Sequence, residues 1–336
     1  MKRLIYSLCA LALAAGGPAA AQSKTGTAIA QFLGIEPSAR LSAMGNTGVA
    51  VFDGIEAVYY NPAALGSIAR PTLQLTHSEW FAGIDYEYAA LAYPLREIGT
   101  LFGSVTALNS GEIDVRTVDQ PLGTGERYTV GDLALGLGFG RRITHRFAVG
   151  GQINYVHERI WHTTSNLMTF NLGTVYTFPL SGLKIASSLS NVGTQGRFTG
   201  RELAIQFDLN PDVHGDNSAL PGEQLTDDFP VPLLFRVGAS LPVELSEASR
   251  LLVALDAFHP SDNTESISFG GEWTYREALS LRAGYQDLFE EDAELGPTLG
   301  VGFQSDLGQN RFHFNYAWAH HDHLSETHRL TFVLGF

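Results

Sequence analysis

Two polar clusters contain residue types that could bind a metal ion. The first, at 208–217 (DLNPDVHGDN), resembles a calcium-binding loop in its spaced acidic side chains. Such a loop needs glycine at its sixth position and glutamate at its twelfth, where this chain has Val213 and Ala219. The second, HHDH at 320–323, offers transition-metal ligands, but a ladder of exposed polar side chains explains it equally well. We therefore predict no metal and no cofactor at either place.

The sequence carries none of the common catalytic motifs. It has no Gly-x-Ser-x-Gly elbow, no His-Glu-x-x-His pair and no phosphate-binding Gly-Lys-Ser/Thr loop. A phospholipase built on a barrel would need Ser and His on one lipid-facing strand, and no such arrangement stands out. The glycines at 136, 138, 150, 300 and 302 do not form a nucleotide-binding fingerprint. We expect them to let strands bend or another segment approach, and we predict that the chain is not an enzyme.

The amino terminus has the three parts of a cleaved export signal. A basic pair at 2–3 precedes an apolar core at 4–15, and small residues at 19–21 form a cleavage box, so we expect cleavage before Gln22. The only cysteine, Cys9, lies in this leader, which excludes a small disulfide-stapled scaffold. The net charge of −14 argues against nucleic acid as a partner.

From Pro71 onward, apolar residues alternate with small, polar or charged ones, as in β-strands whose two faces differ. The predicted strands run to about 10–15 residues, roughly twice the length that is usual in soluble proteins. Aromatic residues gather at strand ends, where the interfacial girdles of a membrane barrel lie. Charges on the polar face would be costly in a dry core but are acceptable in a wet or plugged lumen. These features favour a membrane barrel over a soluble sandwich.

The pattern predicts an all-β fold, a 14-stranded antiparallel transmembrane β-barrel over residues 71–336. Short turns follow the even strands, and the long connections 110–128, 193–230 and 288–295 follow odd ones, as expected when both termini are periplasmic. The predicted strands are 71–78, 84–95, 98–109, 129–142, 145–160, 163–179, 182–192, 231–243, 249–259, 264–276, 279–287, 296–307, 310–321 and 325–336.

The final strand carries an assembly signal. Leu330, Phe332 and Leu334 alternate on one face, and the chain ends at Phe336. This ending resembles the signal that the barrel-assembly machinery reads. We therefore expect that machinery and outer-membrane lipid as partners, and the bacterial outer membrane as the location, reached through cleavage of the signal peptide at 1–21.

The stretch at 31–65 matches neither the leader nor the strands. Pro37 opens a run of small residues that suits a short helix, which Gly45 and Asn46 would end because both tolerate positive φ. Asp53-Gly54 predicts a turn. The stretch is too small to fold alone, so we predict that residues 22–70 form an N-terminal plug in the barrel lumen.

A plug of this kind leads to two further expectations about the barrel wall. The inward face must leave room for the helix, and we expect Gly136 and Gly138 to provide it. The Arg40 guanidinium must find an inward carboxylate, since an unpaired buried charge is costly. The candidate carboxylates are Asp132, Glu158 and Glu272.

The same stretch resembles the amino-terminal signature of the PorV/PorQ family, outer-membrane barrels related in architecture to the FadL fatty-acid transporters. The resemblance implies a partner of the type IX secretion machinery, which accepts cargo at the translocon or serves surface attachment. FadL-type proteins also carry Asn-Pro-Ala near their plug, and this alternative implies passive transport of long-chain fatty acids or other hydrophobic molecules. The matching residues are Phe32, Leu33, Ala39, Arg40, Ala43, Met44, Gly45, Val49, Ala50, Asp53, Asn61, Pro62 and Ala63.

The two functions differ most in what they require of the long connection 193–230. Connections of this length are usually functional or disordered, and the alternation of Leu203, Ile205, Phe207 and Leu209 is too apolar for disorder. We expect this loop to be ordered over the external mouth of the barrel. Its apolar side chains would face either a hydrophobic ligand below or a secretion-system protein above.

Overall fold

The computed structural model describes residues 26–208, 212, 219–290 and 293–336. The predicted signal peptide and Leu209 therefore lie outside the described residues. Among the residues that are described, no helix has the length and apolar character needed to span a membrane.

Fourteen long strands form a closed antiparallel barrel, which confirms the predicted fold. Each long strand pairs with its neighbours in sequence. Strand β7 (Lys184–Gly193) pairs with β11 (Leu234–Ser246) across the longest connection, and β1 (Thr72–Glu79) pairs with β17 (Thr327–Gly335) to close the barrel. Three short strands, β8–β10, lie within that longest connection. The strands are β1 Thr72–Glu79, β2 Asp85–Pro94, β3 Thr100–Asp114, β4 Arg127–Arg142, β5 Phe147–Ile160, β6 Thr163–Thr177, β7 Lys184–Gly193, β8 Thr199–Gly200, β9 Ala204–Phe207, β10 Leu220–Glu223, β11 Leu234–Ser246, β12 Ser249–Pro260, β13 Ser266–Tyr275, β14 Leu279–Leu288, β15 Leu295–Leu307, β16 Asn310–His321 and β17 Thr327–Gly335.

The two faces of the barrel wall are inverted relative to a soluble protein. Leu135 and Leu137 point outward and are 44% and 69% exposed, whereas Arg236 and Glu272 are buried on the inner face. Because the outer face meets lipid, apolar side chains are stable there, and the polar side chains point into the lumen. The alternation in the sequence therefore predicts the two faces correctly.

The connections differ in length at the two ends of the barrel, as predicted. We call the end at 80–84, 115–126 and 194–233 the long-loop end. The opposite end, with turns such as 247–248 and 308–309, is the short-turn end, where β1 begins and β17 finishes.

Residues 26–70, here called the luminal segment, pack against the inner face of the barrel. Their single α-helix, α1 (Ala39–Ser42), begins at Ser38, whose side chain accepts a hydrogen bond from the Leu41 backbone N–H. Gly45 and Asn46 follow it with φ of 68° and 57°, as expected for a helix that ends in the left-handed region. The other described helices are short 3₁₀ helices at Gln31–Gly34, Ile55–Ala57, Pro62–Ser67, Phe81–Gly83 and Arg201–Leu203.

The apolar side chains of the luminal segment form the main core inside the barrel. Leu41, Met44 and Tyr60 are fully buried and cluster with inward-facing Tyr86 of β2 and Phe102 of β3. The segment and the inner wall contribute about equally to this core, with nine and eight of its buried side chains respectively. The fold thus depends on the segment as well as on the strands.

Candidate functional site

The end of helix α1 and the residues that follow it, Ala43 to Gly45, lie against three inward-facing glycines of β13, β14 and β15, which we call the glycine seat: Gly270, Gly284 and Gly300. A Cβ atom at Gly270 or Gly284 would collide with the backbone of Met44 and Gly45, and one at Gly300 would collide with Ala43. Only glycine lets two backbones approach this closely. The glycine seat therefore fixes where the helix lies.

The prediction that Gly136 and Gly138 make room for this helix is wrong. Both face the lumen from β4, on the far side of the barrel. A Cβ at Gly136 would meet the side chains of Ser104, Gln152 and Asn154 instead of the helix. Glycines face the lumen from strands on both sides of the barrel, so the sequence alone does not show which of them the helix contacts.

A second close contact involves the Asn61-Pro62 turn, near the short-turn end of β5 and β6. Added Cβ atoms at Gly150 and Gly173 would collide with Pro62 and Asn61 respectively. The Asn61 side chain donates to the carbonyl oxygens of Val49 (2.9 Å) and Thr174 (3.1 Å) and accepts from the Ala63 N–H (3.0 Å). The Asn-Pro-Ala of the signature is thus the place where the segment meets β6.

Arg40 joins the luminal segment to the wall through a partly buried ionic network. Its Nη2 lies 2.8 Å from Glu272 Oε1 and its Nη1 lies 2.7 Å from Asp53 Oδ1. Glu272 also accepts from Arg282 Nε at 2.6 Å. Burial alone would raise the pKa of Asp53, but the Arg40 guanidinium outweighs it and holds that pKa below its usual range.

Of the three candidate carboxylates, Glu272 is the one that contacts Arg40. Glu158 instead accepts a hydrogen bond from the Ala30 backbone N–H at 3.0 Å. Asp256 does the same for the Val49 N–H at 2.9 Å. Inward carboxylates thus bind the segment at several heights. Glu158 and Asp256 accept from its backbone N–H groups, whereas Glu272 binds the charged side chain of Arg40.

A small polar chamber lies between the luminal segment and β3–β7. It has a volume of about 10 Å³, room for roughly one water molecule. Gln152 Oε1, Ser190 Oγ and Arg236 Nε are buried in its lining and have no hydrogen-bond partner among the described residues. The lining residues are Leu33, Tyr59, Ser104, Thr106, Ala134, Gln152, Asn154, Asn171, Ser190, Asn191 and Arg236.

A larger cavity of about 370 Å³, the long-loop vestibule, opens above the segment. Glu36 forms part of its floor and is bonded to Arg236 Nη2 at 3.0 Å. Burial raises the pKa of Glu36, and Arg236 offsets part of that rise. The lining residues are Gln31, Gly34, Glu36, Asn46, Asn191, Pro232, Leu234, Phe258, Pro260, Asp262, Asn263, Thr264, Ser266, Asp287, Glu290, Glu294 and Leu295.

A third cavity of about 310 Å³, the short-turn vestibule, opens below the segment. Its lining includes Arg40 and Asp53, so the ionic network faces this side. Three arginines and one histidine make it much more basic than the long-loop vestibule. The lining residues are Arg40, Asp53, Gly54, Ile55, Glu56, Ser67, Ile68, Ala69, Arg70, Thr72, Arg311, His313, Val333 and Gly335.

The predicted apolar ladder of the long connection forms part of a hairpin between β9 and β10. Ile205 and Phe207 are 43% and 50% exposed, Leu203 is half-buried, and Leu209 lies outside the described residues. Other residues of this connection contact the segment: Phe229 and Val231 pack with Phe32 and Leu33. This contact was not among the predicted ones, although the apolar run at 229–232 could have indicated it.

The remaining predicted residues do not line the cavities, although His323 contacts Glu294 of the long-loop vestibule. Phe336 is half exposed, and its N–H donates to the Pro71 carbonyl oxygen at 3.0 Å. His320 and His323 lie near different carboxylates, Asp322 and Glu294. Across the part of the chain that the structure describes, no three potential ligands converge in a way that could hold a metal ion.

The fold of this chain is similar to that of several solved outer-membrane channels. The toluene transporter TodX of Pseudomonas putida superposes with a TM-score of 0.57 at 13% identity, over 89% of this chain and 97% of that chain. The monoaromatic hydrocarbon channel CymD gives 0.54 at 11% identity, with coverage of 89% and 97%. A Pseudomonas aeruginosa FadL homologue gives 0.50 at 10% identity, again over 89% and 97%. No family model matches the chain, and no curated protein matches it.

At this level of identity the likeness establishes the fold. The chain is a 14-stranded barrel of the FadL type. Its apolar outer face and this fold place it in the bacterial outer membrane. The three structures reported above are FadL-type channels, and none of them is a PorV or PorQ protein.

Proposed function

We propose that this chain is a plugged outer-membrane channel for small hydrophobic molecules. The observation that carries the proposal is the position of the luminal segment between two vestibules. Glu36 and Asn46 line the upper cavity, whereas Arg40 and Asp53, a few residues away, line the lower one. A shift of the segment would therefore change both cavities at once, as expected for a gate.

The long-loop vestibule has the character of an entry site. Its volume falls within the range typical of small-ligand pockets. Leu234, Phe258 and Leu295 give it apolar walls at the end of the barrel where ligands would arrive from outside. The solved structures with this fold are described as a toluene transporter and a monoaromatic hydrocarbon channel, which supports a hydrophobic substrate here.

Transport in this proposal is passive. The barrel offers a cavity and a luminal segment that would have to shift, and we assign no catalytic residue to it. Binding of a hydrophobic molecule in the vestibule would stabilise a shifted arrangement of the segment, since a ligand favours the conformation that it binds better.

A second candidate is a role as a partner in type IX protein secretion or surface attachment. The observation that favours it is the β9–β10 hairpin, which exposes Ile205 and Phe207 to solvent. Exposed apolar side chains on a protruding hairpin are typical of protein-binding surfaces. The signature at 32–63 also supports this candidate through its resemblance to PorV/PorQ proteins.

One experiment separates the two candidates. Cells that lack other hydrophobic-molecule channels are given the wild-type chain or a variant without residues 199–217, and the initial uptake of radiolabelled toluene is measured. A channel raises uptake several-fold over the empty vector, and the deletion alters that rate. Heat-dependent mobility on a gel confirms that both proteins form barrels.

The alternative outcomes are equally definite. If wild-type uptake equals that of the empty vector while the barrel is assembled, the channel proposal is wrong. Chemical crosslinking in the native host then tests the second candidate. Loss of a specific crosslinked protein on deletion of 199–217 supports a secretion role, and an unchanged crosslinking pattern excludes a partner at the hairpin.

A further inference from the structure

The lining of the long-loop vestibule carries one sign of charge. Five of its side chains are carboxylates, and none of its described lining residues is lysine, arginine or histidine. Arg236 neutralises Glu36 from behind, but it is itself only 2% exposed. The carboxylates are Glu36, Asp262, Asp287, Glu290 and Glu294.

We propose that this vestibule binds hydrophobic molecules that carry a positive charge and disfavours hydrophobic carboxylates. The inference rests on the proposed function and specifies its substrate class. Apolar walls would hold the hydrophobic part of the ligand, and the carboxylates would hold its cationic group. A fatty-acid anion would instead meet several like charges in a confined cavity, which raises its free energy of binding.

The vestibule contains carboxylates that are bonded to neutral donors only and could also accept from a cationic ligand. Asp287 Oδ1 accepts from Ser266 and Glu290 Oε1 accepts from Asn263. These neutral donors leave the carboxylate charges uncompensated. The Thr264 hydroxyl, also in the lining, is buried without a hydrogen-bond partner in the described structure. An amine or ammonium group can use these acceptors, whereas a hydrocarbon cannot.

A metal ion fits the vestibule less well than an organic cation. A divalent ion needs several ligands within about 2.6 Å, and no three acidic or histidine side chains converge in that way among the described residues. The carboxylates are instead distributed around apolar residues such as Leu234 and Phe258. That distribution suits a molecule with both an apolar surface and a positive charge.

The floor of the vestibule suggests how such a ligand would act on the gate. Glu36 precedes α1 by only a few residues and is held by Arg236 at 3.0 Å. A cationic group that reached Glu36 would compete with Arg236 for the same carboxylate. This competition would loosen the luminal segment beside the polar chamber, into which Arg236 projects.

The test compares three probes of similar size and fixed charge: benzyltrimethylammonium, benzenesulfonate and toluene. Binding to the purified full-length protein is measured by equilibrium dialysis at pH 8. That pH lies above the pKa of Glu290, which burial, reinforced by Asp287, raises to about 7. We expect the cation to bind about tenfold more tightly than the anion, equivalent to ~1.4 kcal/mol.

The variant Asp287→Asn/Glu290→Gln should reduce this preference to below about threefold, with less than ~0.7 kcal/mol remaining. Asn tolerates the positive φ of 52° at position 287, so the backbone need not change. Glu326→Gln is the matched control, because it removes one charge at the same end from an exposed loop outside the vestibule. If the double variant does not assemble, Glu290→Gln alone should lower the preference by about half.

The possible results separate this inference from the proposed function. Equal binding of cation and anion, or a preference that persists in the double variant, overturns the inference. If toluene is still taken up by cells in that case, the channel proposal stands. If toluene is neither bound nor taken up, the channel proposal itself fails. A cation preference that is lost in the double variant but kept in Glu326→Gln supports the inference.

Discussion

The luminal segment contacts two sides of the barrel in different ways. Against β13–β15 it is fixed by the glycine seat and by the bond from Arg40 to Glu272. Against β3–β7, at mid-height, it borders a chamber in whose lining three buried polar atoms lack hydrogen-bond partners among the described residues. The two sides lie nearly opposite each other in the strand order. We infer that the first side anchors the segment, and that on the second side the part beside the chamber is held less firmly than the Asn61-Pro62 turn, which contacts β5 and β6 near the short-turn end.

The largest expected effect comes from breaking the anchored side. Glu272→Gln leaves Arg40 and Arg282 buried without their shared negative charge, and loss of a buried partner costs about 3–5 kcal/mol. The unfolding temperature of the barrel, read from heat-dependent gel mobility, should fall clearly. Glu158→Gln is the matched control on the other side. Gln can still accept the Ala30 N–H, so we expect a small change there. Equal losses in both variants would contradict the comparison.

A second prediction tests the glycine seat against its counterpart on β4. In Gly284→Ala the new methyl group would collide with the Met44 and Gly45 backbone, so α1 must move, at a cost of about 3 kcal/mol. In Gly136→Ala the methyl group meets only the ends of the Ser104, Gln152 and Asn154 side chains, which can rotate away. Limited proteolysis should release the amino-terminal segment from Gly284→Ala first. Equal protection of both variants would mean that the seat does not hold the helix.

The strand layout could be predicted from the sequence because apolar and polar residues alternate within each strand and so identify its outer and inner faces. Alternation and loop parity are local or periodic signals, and they gave fourteen strands with bounds close to those observed. The short helix was also predictable, since Pro37, Gly45 and Asn46 act on neighbouring residues. These features depend little on how distant parts of the chain meet.

The contacts between the segment and the wall could be predicted only in part. Arg40 clearly needed a carboxylate, but the choice of Glu272 over Asp132 and Glu158 depends on the height and rotation of the segment inside the barrel. The same freedom explains why the sequence does not distinguish Gly136 and Gly138 from the glycines that contact the segment. The vestibules could not be predicted at all, because their linings combine residues from many strands and connections.

A third prediction concerns Arg40 alone. Arg40→Ala leaves Glu272 paired with Arg282 and frees the partly exposed Asp53, so we expect a loss of about 2 kcal/mol, less than for Glu272→Gln. The segment should also become easier to displace, which would appear as increased ion conductance in planar bilayers. Arg311→Ala, which removes a half-exposed arginine from the same vestibule, is the control. An unchanged melting curve together with unchanged conductance would count against a plug held by Arg40.

The smallest predicted effect concerns the polar chamber, where we compare Ser190 with Thr298 on the anchored side. The Ser190 hydroxyl is buried without a partner, so Ser190→Ala removes an unsatisfied group and should leave stability unchanged or raise it by less than ~1 kcal/mol. Thr298 on β15 is the matched position: its hydroxyl accepts from the Gly45 N–H at 3.0 Å and donates to the Ala43 carbonyl oxygen at 3.1 Å. Thr298→Ser keeps both bonds, whereas Thr298→Ala should cost about 1–2 kcal/mol. If Ser190→Ala destabilises the barrel as much as Thr298→Ala, the chamber holds a tightly bound water molecule, and this side of the segment is as firmly fixed as the other.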